Sequence, residues 1–274
     1  MKIIDAHLHF WPGEPYFDDI AIQAGHQNTE QHLREQMQNC EIAMGIVMGN
    51  DTLNVEQHRY PSYLRYCIGL DSNFASQHAL GSAVDQVEWH LQQPNCVGIK
   101  LYPGYCRGYV SDKVYHPYYE LARHYHKAVA IHTGATAGAD ACLKYSHPLT
   151  VDEIATEYPD VQFVLCHFGS PWVQDAAAVL AKNDNVAADL SGLLEGCPDW
   201  GQLWKEQDAF FDYLRMWLAY LGRYDRLMFG TDWPLVNIPL YIRFIQQLVP
   251  EKAWEDVFFE NADRIYKLEY KKLL

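Results

Sequence analysis

The sequence predicts an α/β protein of the (β/α)8 type, a TIM barrel, and three observations carry that expectation. Eight short runs rich in apolar and β-branched residues recur along the 274 residues. The stretches between them are amphipathic and long enough for helices. The runs themselves are almost continuously hydrophobic, as parallel strands covered on both faces are. With run centres near residues 5 and 229, the units average about 32 residues, room for one strand, one helix and two loops. An open doubly wound sheet shares this alternation, but it normally carries a Gly-rich phosphate turn after its first strand. Here the first strand runs into His7-Leu8-His9-Phe10-Trp11-Pro12.

Taken in order, the strands are expected at 2–9, 43–49, 64–71, 96–103, 128–134, 161–169, 185–192 and 225–234. Gly, Pro, Asp or Asn bounds each run, which stops the extended chain. Helices are expected at 30–39, 75–93, 117–127, 151–158, 173–182, 209–221 and 240–248, while Pro61 interrupts the connection 55–63. Residues 254–274 read as a C-terminal helix packed on the outside of the barrel. No linker, repeat or low-complexity stretch divides the chain, so one domain spanning 1–274 is expected.

Composition narrows the function. Apolar residues make up 49% and charged residues 20%, enough to build a full core and too apolar for a disordered chain. The formal charge of −14 repels a polyanion over most of the surface, which argues against nucleic acid as a partner. Seven scattered cysteines without a C-x-x-C pair suit a reducing cytoplasm. Neither an apolar leader nor an 18-residue membrane span is visible, so a soluble cytoplasmic protein acting on a small molecule is expected.

Active sites of such barrels lie at the C-terminal ends of the strands, so the residues at those ends are the candidates for chemistry. Alternation puts Asp5, His7 and His9 on one face of the first strand. His132 ends the fifth, His167 the sixth and Asp232 the eighth. Imidazole nitrogen with carboxylate oxygen suits Zn²⁺, Fe²⁺ or Mn²⁺, and the absence of a ligand cysteine speaks against a closed structural zinc site. A water in the open position would have its pKa lowered from about 15.7 toward about 7. An H-x-H pair alone reads as readily as two surface or satisfied core histidines; its position at the rim, shared with three other strand ends, is what favours a metal. The nine other histidines fall in helices or loops and read as structural or exposed.

The segments Asp5-Ala6-His7-Leu8-His9, Gly98-Ile99-Lys100-Leu101-Tyr102-Pro103, Ile131-His132-Thr133-Gly134, Cys166-His167-Phe168-Gly169 and Gly230-Thr231-Asp232-Trp233-Pro234 together resemble the amidohydrolase superfamily. Within it they are similar to the amidohydrolase-2 branch, the metal-dependent enzymes related to aminocarboxymuconate semialdehyde decarboxylase. The closing Asn261-Ala262-Asp263-Arg264-Ile265-Tyr266 carries the similarity to the end of the chain. The resemblance implies one divalent metal, zinc before manganese or iron, held by His7, His9, His132 and Asp232. Asp232 would act also as general base. His167 would touch the substrate or the metal's water, or complete a second metal site, and Asp5 would orient the ligand histidines from behind.

Lys100 admits three readings: a carbamate bridging a second metal, as in binuclear members such as dihydroorotase; a cation for a substrate carboxylate; or a partner in an ordinary ion pair. The rim loops carry Trp11, Tyr16 and Phe17, then Tyr102, Tyr105, Arg107 and Tyr109, then Trp172, Trp200, Trp204 and Trp233. Trp11, Tyr102, Arg107 and Trp172 are expected to contact a small, partly apolar, carboxylate-bearing substrate, unless they merely pack loops. The leading expectation is hydrolysis of an amide, lactone or ester bond. Non-oxidative decarboxylation is the alternative, and a non-catalytic binding barrel the third. The helical exterior, with Trp217 and Tyr220, leaves room for a homodimer.

Overall fold

The computed structural model describes residues 1–50, 52–74 and 77–270. Eight strands follow one another: β1 (Ile3–Leu8), β2 (Ile42–Met48), β3 (Leu64–Leu70), β4 (Cys96–Leu101), β5 (Ala128–Ile131), β6 (Phe163–Leu165), β7 (Val186–Asp189) and β8 (Leu227–Met228). Each pairs in parallel with the next, in sequence order. Hydrogen bonds from Ala6 N to Phe229 O, Asp232 N to His7 O and His9 N to Trp233 O join the eighth strand and its extension to the first. The result is a TIM barrel.

Around the barrel lie α1 (Pro15–Gln23), α2 (Glu30–Asn39), α3 (Gln77–Ser82), α4 (Val84–Leu91), α5 (His116–Tyr125), α6 (Thr150–Glu157), α7 (Val173–Lys182), α8 (Trp200–Leu221), α9 (Ile238–Leu248) and α10 (Asn261–Ile265). Two apolar layers follow from the pleat of the strands. Outward residues such as Val129, Ile131, Val186 and Ala188 pack under the helices, whereas Ala128, Ala130, Ala187 and Met228 face the barrel interior. No helix among the described residues is long and apolar enough to cross a membrane.

Helices α2 and α7 occupy the expected bounds, and side-chain caps define several starts. Thr29 accepts from His32 N at the head of α2 and Asn237 from Leu240 N at the head of α9. Helix α8 begins well before residue 209 because Asp199 caps it and Trp200, Leu203, Trp204 and Phe211 continue its apolar face across a polar run. Trp200 and Trp204 therefore belong to this helix and not to a rim loop. Helix α1 was not anticipated. Glu14 accepts from Phe17 N and Pro15 supplies a ready-set first residue, so a short segment turns where the sequence reads as loop.

The C-terminal expectation needs correction. The helical segment ends at Ile265, and residues 271–274, like 75 and 76 of the second expected helix, lie outside the described residues. Phe259, Ala262, Ile265, Tyr266 and Leu268 do not coat the outside. They pack against the inward residues Ile4, Met44, Val97 and Met228 and close the N-terminal mouth of the barrel. Small inward residues leave a hole there that only a separate apolar segment can fill.

His26 fastens α2 to the segment after β8. Its Nε2 accepts the Ile238 N–H at 3.2 Å, so the proton sits on Nδ1, which donates to His32 Nε2 at 3.1 Å. The ring lies on buried Trp233.

Two outcomes test these contacts. Phe259→Ala is expected to lower unfolding stability by about 3 kcal/mol in urea titrations, against about 0.5 kcal/mol or less for the exposed control Ile22→Ala. Burial, then the facing His32 ring, pushes the His26 pKa down to about 4 from 6.5. Between those values the unfolded chain binds a proton that the native chain rejects, so stability falls as pH drops from 6.5 to 4. Urea midpoints measured across that window should fall less steeply for His26→Gln than for the parent chain.

Candidate metal centre

At the C-terminal mouth a cavity of about 730 Å³ opens, with His7, His9, Lys100, His132, His167 and Asp232 among its lining residues. The chain delivers them from the ends of β1, β4, β5, β6 and β8. His167 and Asp232 adopt left-handed backbone conformations (φ 60° and 57°), which aim the residues just beyond two strands back across the mouth.

The tightest convergence is His7, His9 and Asp232, whose ligand atoms all lie within 4.8 Å of one another. Asp232 Oδ1 is 3.3 Å from His7 Nε2 and 3.2 Å from His9 Nε2. The protonation of both rings follows from their other nitrogens. His7 Nδ1 lies 2.9 Å from Asp189 Oδ2, and His9 Nδ1 lies 2.6 Å from Asn50 Oδ1 and 3.2 Å from Met48 O. All three partners are acceptors, so each Nδ1 carries the proton and each Nε2 presents a lone pair. Two lone pairs and a carboxylate oxygen thus face one another, and His7 Nε2 and Asp232 Oδ1 are buried without a hydrogen-bond partner. Buried acceptors arranged in this way are stable only around a cation, so the residues fit a divalent metal.

His132, expected as a fourth ligand, is not part of this convergent trio. Its Nε2 donates to Ala135 O at 3.0 Å, which leaves Nδ1 as its lone-pair nitrogen, and its ring borders those of His167 and Tyr105. A second trio, His7, Cys166 and Asp189, also converges, but there the His7 Nδ1–H already satisfies Asp189.

Charge follows burial. Burial and then the neighbouring Lys100 push the His7 pKa down to about 4. Burial lowers His132 and His167 as well. Burial alone would raise Asp232, but the imidazoles of His167, His7 and His9 outweigh it and hold the carboxyl well below its usual range. Burial thus favours the neutral rings of His7, His132 and His167 while Asp232 stays ionised, a state suited to binding a cation.

Asp5 acts elsewhere than expected. It accepts from Thr231 N, Thr231 Oγ1 and His7 N, so it clamps the turn that carries Asp232 and leaves the ligand rings alone. Its pKa is pushed up to about 7, chiefly by burial. The carboxylate behind His7 is Asp189, which sequence reasoning passed over, together with Ser191 and Asn50. Asp and Ser at alternate positions of an otherwise apolar strand end were the available signal.

Lys100 is fully buried, and its Nζ donates to Cys166 Sγ at 2.8 Å, 5.1 Å from the Tyr102 ring. Among the described residues it makes no ion pair, which removes the third reading. Tyr102 lines the cavity with its ring, while its hydroxyl donates to Gly49 O. The other expected substrate contacts lie outside this cavity. Arg107 is exposed and donates to Asp140 O, Trp172 packs on His147, and Trp11 lines a separate cavity of about 210 Å³. Tyr16, Phe17 and Ile20 of α1, with Tyr105 and Phe210, form the apolar walls.

Asp189→Asn is expected to weaken Zn²⁺ binding about 10- to 100-fold, since an amide can hold His7 in the wrong tautomer. Calorimetric titration of the refolded, chelator-treated protein reads this directly; unchanged affinity would mean that Asp189 does not orient His7.

Comparison with known proteins agrees with this geometry. A family model described as amidohydrolase matches residues 4–268. Protein fluG of Emericella nidulans is 26% identical over 163 residues, 52% of this chain and only 18% of that protein. Among solved structures, a 2-pyrone-4,6-dicarboxylic acid hydrolase from Acinetobacter baumannii superposes with TM-score 0.62 at 17% identity, covering 97% of this chain and 100% of the other. The 2,6-dihydroxybenzoate decarboxylase from Rhizobium gives TM-score 0.68 at 15% identity, with 98% and 99% covered. At such identities the structures establish a common barrel, and the family match establishes membership: the chain belongs to the amidohydrolase-2 family of metal-dependent hydrolases and decarboxylases.

Proposed function

We propose that the protein hydrolyses a lactone, ester or amide bond of a small molecule, with lactones first among the candidates. The observation that carries this reading is Asp232. One of its oxygens lies among the lone pairs of His7 and His9, while the other, Oδ2, lies 4.0 Å from His167 Nδ1. A divalent cation, zinc by the donor set with manganese or iron as substitutes, would lower the pKa of water toward about 7 and polarise the scissile carbonyl. His7, His9 and Asp232 would hold it.

The remaining work falls to side chains. Asp232, kept ionised, accepts the proton of the attacking water and returns it to the leaving oxygen or nitrogen. His167, kept neutral by burial, flanks the same space and hydrogen-bonds the reacting group. Tyr16, Phe17 and Tyr105 enclose an apolar ring, and Lys100 lies among the cavity residues where an anionic substituent can approach it. Pyrones are lactones, so the name of the Acinetobacter relative supports testing that class first. The seven free cysteines suit a cytoplasmic setting.

One observation favours decarboxylation as the second reading. Lys100 has no carboxylate partner among the described residues, so a substrate carboxylate that reached its buried Nζ beside the centre would complete an ion pair there. A pH-stat assay over a lactone panel, run beside a carbon dioxide assay on aromatic carboxylates, separates the two. Acid release that falls about 10²- to 10⁴-fold in Asp232→Asn is the expected result. Carbon dioxide release without acid release from any lactone would replace hydrolysis by decarboxylation. Tight binding with no turnover would leave a binding barrel.

A further inference from the structure

We infer that Ser191 is a positioning residue that fixes the tautomer of His167, with the proton on Nδ1 and the lone pair on Nε2. This rests on the proposed catalytic role of His167, but its geometry is independent of which bond is broken.

The argument is a count of donors. Asp189 is fully buried, and its Oδ1 already faces two backbone N–H donors, those of His167 and Ser191, so that oxygen can only accept. Ser191 Oγ lies at 2.5 Å from Asp189 Oδ1, a contact that needs the single hydroxyl proton of the serine. The same Oγ lies 2.9 Å from His167 Nδ1. With its proton committed, Oγ can only accept there, so Nδ1 must donate. The second neighbour of Nδ1, the Ser191 carbonyl at 3.3 Å, is also an acceptor. Both contacts demand the same tautomer.

Packing holds the ring in that position. Asp189 Oδ1 also takes the His167 N–H at 2.9 Å and the Ser191 N–H at 3.1 Å, which pins both backbones to one carboxylate oxygen. On the next residue, Gly192 (φ 60°), a Cβ would come within 2.9 Å of His167 Nδ1 and 3.2 Å of Asp232 Oδ2. Only a residue without a side chain lets the imidazole lie this close to Ser191. His7 reaches the opposite oxygen of Asp189 directly. A single carboxylate therefore sets two histidines, one by contact and one through the serine hydroxyl.

The test uses ¹⁵N-histidine NMR on the full chain, as purified and after Zn²⁺ loading, for Ser191→Ala and Ser191→Thr. In Ser191→Ala the His167 resonances should shift toward a mixture of Nδ1–H and Nε2–H forms, while His7 keeps Nδ1–H. Ser191→Thr, which retains the hydroxyl, should restore the parent pattern. On any lactone that the parent hydrolyses, kcat of Ser191→Ala should fall about tenfold with KM changed less than about twofold. An unchanged His167 pattern in Ser191→Ala would overturn the inference. So would simultaneous loss of the His7 pattern, which would mean that Ser191 matters only for the shape of Asp189. If no lactone is hydrolysed, the proposed activity fails while the tautomer measurement still decides the inference.

Discussion

A single buried negative charge organises this rim. Asp189 is withdrawn from water, and burying an ionised carboxylate is very costly unless its oxygens are occupied by donors. The chain supplies four: His7 Nδ1 to Oδ2, and His167 N, Ser191 N and Ser191 Oγ to Oδ1. Those donors come from the ends of β1, β6 and β7, so satisfying one charge sets the relative position of three strand ends. The lone pair of His7 Nε2 faces the cavity because the other nitrogen is already committed. Asp5 does a matching task between β1 and the chain beyond β8, where its bonds to Thr231 hold the turn that presents Asp232.

The barrel divides along its axis. Toward the N-terminal mouth the inward residues are apolar and many are small, and the C-terminal segment fills the space they leave. Toward the C-terminal mouth the inward residues are Lys100, His132, Cys166, His167 and Asp189, a polar layer beneath the cavity that α1 and the neighbouring loops wall. Stability is concentrated at one end and chemistry at the other, which lets the rim hold strained residues such as His167 and Asp232. Cavity selectivity then falls to α1 and the neighbouring loops, since they contribute the aromatic walls above a nearly fixed floor.

Much of this was legible in the residue order. Eight apolar runs with polar spacers can bury both faces of their strands in few ways, and His7, His9, His132, His167 and Asp232 stood out because ionisable groups at the ends of apolar strands need a reason to be there. Asp189 met that same criterion and was missed, because its only nearby partner, Ser191, does not mark it as part of the site; the histidines it serves are 22 and 182 residues away. Trp11, Arg107 and Trp172 were drawn into the site by their loops, but a loop's sequence does not say which way its side chains turn. Arg107 turns out to Asp140, while Tyr105 from the same loop turns in.

By itself, then, the sequence determined the barrel, the rim on which the site lies and the chemical type of its donors. These depend on periodicity and on residue identity, both of which are local. Only the tertiary structure decided which nitrogens carry protons, which carboxylate stands behind which histidine, and that the last residues plug the barrel instead of coating it. Each of those is set by contacts between segments far apart in the chain, and hydrogen-bond direction and cavity filling are properties of such contacts alone.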